Sequence, residues 1–340
     1  MANIKDVARA AGVSVSTVSR VVNGSAKVAP EKREAVLAAM STMNYRPNSL
    51  ARALVNRRSN CIGLMVGELG SPFFAQMMAG VDDVVVQGGR HLMMTSGYND
   101  PAREEEALDM LQQRQCDALI LHAKALSDER LQEVAAGPVP VIFINRLVPG
   151  YESCSIYLDN QHGAYLATRH LLGRGHRSVA FMCSSLTHVA DGHQRLAGYR
   201  QALDEFDIEY DERKVAWAFP NEDGGNEAMG ELLGRNVSFS AVMAYNDVMA
   251  AGAIGLLLDS GFEVPHHMSV VGFDDVVITK YLRPRLTTVH YPIEEMGRTA
   301  ARLALQILEG KPRLPAAQLN FTPRLVVRHS VKTWRDQDGR

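Results

Sequence analysis

Ile4-Lys5-Asp6-Val7-Ala8-Arg9-Ala10-Ala11-Gly12-Val13-Ser14-Val15-Ser16-Thr17-Val18-Ser19-Arg20-Val21-Val22-Asn23 lies at the start of the chain and predicts two brief helices broken at Gly12. Ile4, Val7, Ala8 and Ala11 recur at helical spacing and give the first helix an apolar face. Gly12 supplies the permissive backbone of a sharp turn. Ser14 caps the second helix by accepting from the amide of Ser16 or Thr17, and Val18, Val21 and Val22 bury one side of it. Val15, Ser16, Ser19 and Arg20 are left facing outward. Small polar side chains beside one Arg on a helix N-terminal half suit the major groove of DNA, where Arg reads guanine and small apolar groups meet thymine methyls. The pattern reads as a helix-turn-helix, with an ordinary helical hairpin as the plain alternative.

Charge favours the first reading. Residues 1–60 hold ten Lys/Arg against Asp6, Glu31 and Glu34, a balance of +7. The whole chain is −2, so the remainder carries −9. A basic head on an acidic body points to a polyanionic partner at one end only. Residues 30–43 start with Pro30 and carry apolar Val36, Leu37, Met40 and Met43, which predicts a third helix completing a small all-α head at 1–46. After the break at Tyr45-Arg46-Pro47-Asn48, residues 49–54 form a segment shorter than the ~12 residues an isolated helix needs in water, so a partner chain or DNA must hold it. Residues 55–60 complete a basic linker, and 47–60 together form a hinge.

With 340 residues, 46% apolar and 22% charged, the chain has globular composition and room for more than one core. It has no apolar run long enough to span a membrane, and its N-terminus lacks the features of a secretory signal, which places it in the cytoplasm. Cys61, Cys116, Cys154 and Cys183 are widely spaced in apolar surroundings, and His266-His267 sits beside Pro265. Neither a disulfide framework nor a metal site is indicated.

From residue 61 apolar runs alternate with helical patterns, the signature of doubly wound parallel sheets. A first unit has strands at 61–66, 91–95, 118–121 and 139–144, with helices at 73–87, 102–114 and 128–136. A second has strands at 178–182, 215–219, 241–244 and 268–271, with helices at 163–172, 195–206, 225–233 and 247–259. Two such units build one cleft beyond their strand C-termini. The strand ends carry residues 68–74, Asn145-Arg146, residues 157–160, Asn246-Asp247 and Gly272-Phe273-Asp274-Asp275. Amides, carboxylates, one Arg and aromatic rings suit a sugar, whose hydroxyls need paired donors and acceptors while its ring face stacks. The plain alternative is that Asn246 and Asp274 cap the helices that follow.

At this point the chain resembles the bacterial lac repressor and galactose repressor family over nearly its whole length. The likeness is carried by Ile4-Lys5-Asp6-Val7-Ala8 through Thr17-Val18-Ser19-Arg20-Val21, by Tyr45-Arg46-Pro47-Asn48 through Ala53-Leu54, and by Ser269-Val270-Val271-Gly272-Phe273-Asp274-Asp275 with residues 284–288. Similarity to the galactose-type members rests on residues 122–128, Ile144-Asn145-Arg146, Glu231-Leu232-Leu233-Gly234-Arg235-Asn236 and Arg328-His329-Ser330-Val331. The resemblance implies a DNA-facing set of Lys5, Ser14, Val15, Ser16, Thr17, Ser19, Arg20 and Asn23, with Leu54 wedged into the operator's central step. It implies effector contacts from Phe73, Phe74, Asn145, Arg195, Phe219, Asn246, Asp274 and Tyr291, with Trp217 as the alternative to Phe219 for the stacking ring. It further implies two lobes of periplasmic-binding-protein type over 61–334, a polar tail at 335–340, a homodimer, and a pseudo-palindromic operator as the double-stranded DNA partner. As effector the resemblance implies a small hexose such as galactose, with no cofactor.

Two other classes are weighed. A periplasmic sugar-binding protein without gene regulation accounts for residues 61–334 and leaves the basic head without a use. A family member sensing another sugar or a purine fits the same frame. Catalysis lacks support: Gly173-Arg174-Gly175-His176 follows a helix instead of opening one, and Ser184-Ser185 near His188 and Asp191 lacks a nucleophile elbow.

Overall fold

A computed structural model describes residues 2–22, 27–45 and 59–335, with the backbone alone at 316. Asn23, Arg46, Leu54 and the expected hinge helix lie outside the described residues, as does most of the polar tail. The chain divides into two compact units, Met1–Asn60 and Cys61–Arg340.

In the first unit α1 (Ile4–Ala10), α2 (Val15–Val22) and α3 (Pro30–Thr42) enclose Val7, Ala8, Val18, Val21, Val36 and Ala39. Asn3 starts α1 with a capping box: its Oδ1 accepts from the amides of Lys5 and Asp6 at 2.9 and 3.2 Å, and Asp6 Oδ2 accepts from the Asn3 amide at 3.1 Å. Gly12 has φ +64°, the left-handed turn the sequence requires there. Ser14 Oγ accepts from the Thr17 amide at 3.2 Å and opens α2. On α3 the buried face differs from the sequence reading. Leu37 is 52% exposed, and the contacts fall instead on Val36 and Ala39 with Met40 and Met43 packed beside them, a stripe of three- and four-residue steps.

The second unit is two lobes, each a six-stranded sheet between helices. In one, β1 (Cys61–Val66), β2 (His91–Ser96), β3 (Ala118–Leu121), β4 (Val141–Ile144), β5 (Ser155–Leu158) and β11 (Asn320–Phe321) lie in the order β11-β5-β4-β3-β1-β2. In the other, β6 (Val179–Ser184), β7 (Val215–Ala218), β8 (Ala241–Ala244), β9 (Ser269–Asp274), β10 (Thr287–His290) and β12 (Arg324–Val326) lie in the order β12-β10-β9-β8-β6-β7. Every pairing is parallel except β10 with β12. Strands β3, β4 and β8 are apolar throughout because helices cover both faces. In the first lobe α4 (Pro72–Gln87) packs with α11 (Ile293–Leu308) on one face, while α5 (Pro101–Gln113) and α6 (Asp128–Ala135) cover the other. In the second lobe α7 (Asn160–Gly173) packs with α8 (Ala190–Glu205), opposite α9 (Glu222–Gly234) and α10 (Asp247–Asp259).

The lobes are not simply consecutive. The chain passes between them three times, from β5 into α7, from β10 into α11, and from β11 into β12. The sequence reading placed the lobes one after the other and omitted β5, β10, α11, β11 and β12. Among the described residues no helix is long and apolar enough to cross a membrane.

Candidate functional site

The outward face of α2 is small and polar. Val15 is 40% exposed, Ser14, Ser16 and Arg20 are exposed, and Thr17 and Ser19 are half-buried, with Lys5 exposed on α1. Ser14 Oγ lies 2.8 Å from Ser16 Oγ and 2.9 Å from Thr17 Oγ1, a hydroxyl cluster at the helix start. Helix N-termini of this kind favour phosphate oxygens.

In the body, a cavity of about 110 Å³ lies between the lobes at the C-terminal ends of the parallel strands. Its wall is built from βα turns: Gly67 to Phe74 after β1, His122 and Lys124 after β3, Asn145 after β4, Asp191 and Arg195 after β6, Phe219 after β7, Asn246 after β8 and Asp274 after β9. Asn145 has φ +60° and Asp274 φ +111°, so two wall positions hold backbone conformations that L-residues adopt only when the surroundings impose them.

Arg195 is 3% exposed and held on every side. Its Nε donates to Asn160 Oδ1 at 3.0 Å, a terminal nitrogen donates to the Tyr245 carbonyl, and the guanidinium lies over the Phe273 and Tyr245 rings at 3.7 and 4.3 Å. Its motif Arg195-Leu196-Ala197-Gly198-Tyr199 also has a packing cause, since a Cβ on Gly198 would come within 2.0 Å of the Gln161 carbonyl on α7. Asp274, 7% exposed, lies 3.6 Å from Arg195 and makes no side-chain hydrogen bond among the described residues. Burial pushes its carboxyl up to about 7 against the pull of Arg195, with Asp191 adding to the rise. It caps nothing: the 3-10 turn Val277–Lys280 begins without a side-chain cap. Asp247 does the structural work nearby, accepting from the Val276 amide at 2.9 Å and from Thr288 Oγ1 at 2.6 Å.

Asn246 does cap a helix. Its Oδ1 accepts from the Met249 amide at 2.8 Å and its Nδ2 donates to the Pro220 carbonyl at 3.0 Å, so its amide faces the cavity already engaged. Phe74 meets Phe73 and His122 edge-on at 5.2 and 4.8 Å. Phe219 is 48% exposed at the lip, whereas Trp217 lies in a separate hollow with Arg213 and Arg235. Tyr291 stands one layer behind the wall, its ring against Phe73 at 5.1 Å and its hydroxyl donating to Asn145 Oδ1. Its amide also donates to the Asp274 carbonyl at 3.2 Å, so it supports three wall residues without lining the cavity itself.

Three wall residues carried no assignment in the sequence. Lys124 Nζ donates to Asp191 Oδ1 at 2.8 Å and to the Asn145 carbonyl, joining the lobes, and Asn145 Nδ2 donates to Asp191 Oδ2 at 3.2 Å. For Asp191, burial works upward but Lys124 and Arg195 more than offset it and hold the carboxyl below its usual range. Burial, with Lys124 beside it, lowers His122 to about 3, so its ring is neutral. Lys124 and Asp191 are 67 positions apart, beyond any local pattern.

A helix-turn-helix head on a two-lobed body with a charged, aromatic-walled cleft defines the class of ligand-responsive DNA-binding regulators. Residues 3–48 match the family of bacterial regulatory proteins called the lacI family, and residues 168–331 match a periplasmic binding protein-like domain. The chain is 46% identical over 333 residues to the HTH-type transcriptional regulator GalR of Escherichia coli (strain K12), spanning 98% of this chain and 96% of that one. It is 44% identical over 335 residues to GalS of Salmonella typhimurium (strain LT2), spanning 98% of each. The lac repressor dimer bound to operator and the anti-inducer ONPF superimposes with a TM-score of 0.84 at 28% identity, covering 97% of this chain and 99% of that one. The chain belongs to the lacI family of bacterial regulatory proteins, and its relatives are transcriptional regulators, not enzymes.

Proposed function

We propose that this protein is a cytoplasmic homodimeric repressor that binds a pseudo-palindromic operator and releases it when a hexose, galactose, occupies the cleft. The division is head 1–46, hinge 47–60, effector body 61–334 and tail 335–340. Lys5, Ser14, Val15, Ser16, Thr17, Ser19, Arg20 and Asn23 face DNA, and Leu54 enters the minor groove. The observation that carries the effector side is the immobilised Arg195 beside Asp274, whose carboxylate keeps its acceptor capacity toward the cavity. A charged acceptor and a fixed guanidinium next to Phe73, Phe74 and Phe219 match a polyol with one apolar face. Likeness to GalR and GalS favours galactose among hexoses.

The position of the cleft supports a ligand-biased equilibrium. It lies between the lobes, so a hexose bound there contacts both and favours the lobe orientation that contacts it best, which is the differential interaction a two-state switch needs. Operator DNA must then weaken sugar binding by the same factor that sugar weakens operator binding. Titration calorimetry against a panel of hexoses, paired with operator release over the same concentrations, tests the reading. Binding of galactose with release supports it, and binding of another hexose moves the assignment to that sugar. Operator binding that no hexose alters overturns the effector assignment.

A further inference from the structure

We infer that the Lys124–Asp191 ion pair with Asn145 is a partition that limits the effector to a single sugar ring. The inference rests on the hexose reading and deepens it. A second cavity, of about 430 Å³, lies between the lobes and shares with the first only these three residues. One side of the partition is the aromatic and charged cleft already described. The other is lined by Asp128, Arg146, Asp159, Gln161, His188 and Gln194, a polar surface near the first chain crossing. Its carboxylates, amides and guanidinium are the groups that hold sugar hydroxyls.

The partition is firmly made. Lys124 and Asp191 side chains are 6% and 9% exposed and 2.8 Å apart, and Asn145 bonds to both through its carbonyl and its amide. Behind them, Glu104 fixes the Lys124 turn by accepting from the amides of Lys124, Ala125 and Leu126, each at 2.9 Å. Arg146 adds bonds to the carbonyls of Ala123 and Leu126 at 2.9 and 2.7 Å. The paired side chains fill the space between the two cavities and their ion pair holds them there, so a glycosidic substituent directed at it meets a filled wall although polar space lies beyond. Replacing both members by small residues removes the barrier without stranding either charge.

The test is calorimetry on the full-length protein with D-galactose, methyl β-D-galactoside, lactose and melibiose. For the wild type, the disaccharides should bind about 100-fold more weakly than galactose. In Lys124→Ser/Asp191→Ser that ratio should narrow to about tenfold or less, whereas Lys124→Met/Asp191→Asn, which refills the space without charge, should keep the wild-type ratio. Wild-type protein that binds disaccharides as tightly as galactose overturns the inference, as does an unchanged ratio in the folded Ser pair. Should the Ser pair not fold, the wild-type series and the Met/Asn pair decide, and loss of discrimination in the latter overturns a steric partition. Binding of none of the four sugars overturns the galactose assignment and this inference together, which separates that failure from an unaltered ratio.

Discussion

Arg195 and Asp274 face each other at 3.6 Å from the ends of two different βα turns, and only the Arg is fixed by other bonds. The guanidinium is an immovable part of the wall. The carboxylate, on a strained backbone, is the part left to answer a ligand. Asp274→Ala should therefore abolish the response to hexose, forfeiting charge-assisted bonds worth about 1.5–3 kcal/mol each. Operator affinity without sugar should survive, giving a permanent repressor. Operator release over a galactose titration checks this, and release at wild-type concentrations removes Asp274 from the site.

The same carboxyl makes stability depend on pH. Its value in the folded protein, about 7, lies above the ordinary 3.8 because of burial, so between those values the folded state holds a proton that the unfolded state has lost. Stability from this group is full below about pH 4, falls as pH rises to about 7 and is flat above, with a span of up to about 4 kcal/mol. Thermal unfolding at pH 5 and pH 8 should show the wild type losing more on the alkaline side than Asp274→Asn. Equal losses would mean that the carboxyl titrates normally.

At the head, Arg20 is exposed near the end of α2, beyond the hydroxyl cluster of Ser14, Ser16 and Thr17. If it reads a guanine, Arg20→Ala should cost about 1–3 kcal/mol at one position of each half-site and relax preference there. Binding to a set of operators varied base by base distinguishes this from a phosphate contact, which predicts uniform weakening.

Most of the frame of this molecule was legible where periodicity is long, although α11, 16 residues of helical period, went unassigned. Central strands such as Ala118–Leu121 and Ala241–Ala244 are apolar on both faces, and the helices between them repeat at helical spacing. The three crossings were not legible, because Asn320–Phe321 and Arg324–Val326 are too short to show a period and owe their place to β5 and β10. Asp274 was legible as a strand-end acid, and β9 runs three residues further than its apolar run to end on it. Lys124, Asp191 and Glu104 were not, since each is defined by a partner 20 or more positions away. Arg103-Glu104-Glu105-Glu106 in particular reads as a solvated run.

That run yields a sharp contrast. Glu104 is fully buried, while Glu106 two positions on is exposed. Burial raises the Glu104 carboxyl above its usual range, and the amides of Lys124, Leu126 and Ala125 oppose the rise. Glu104→Ala would orphan the buried amides of Lys124 and Leu126 at about 1–3 kcal/mol each, release the half-buried amide of Ala125, and free the turn that aims Lys124 at Asp191. Glu104→Gln keeps one acceptor and turns a donor toward other donors, so it should cost less, about 1–3 kcal/mol. Glu106→Gln should stay within about 0.5 kcal/mol of wild type. Denaturant unfolding of the three variants tests the order. A Glu104→Gln variant as stable as Glu106→Gln would show that the carboxylate does not hold the turn.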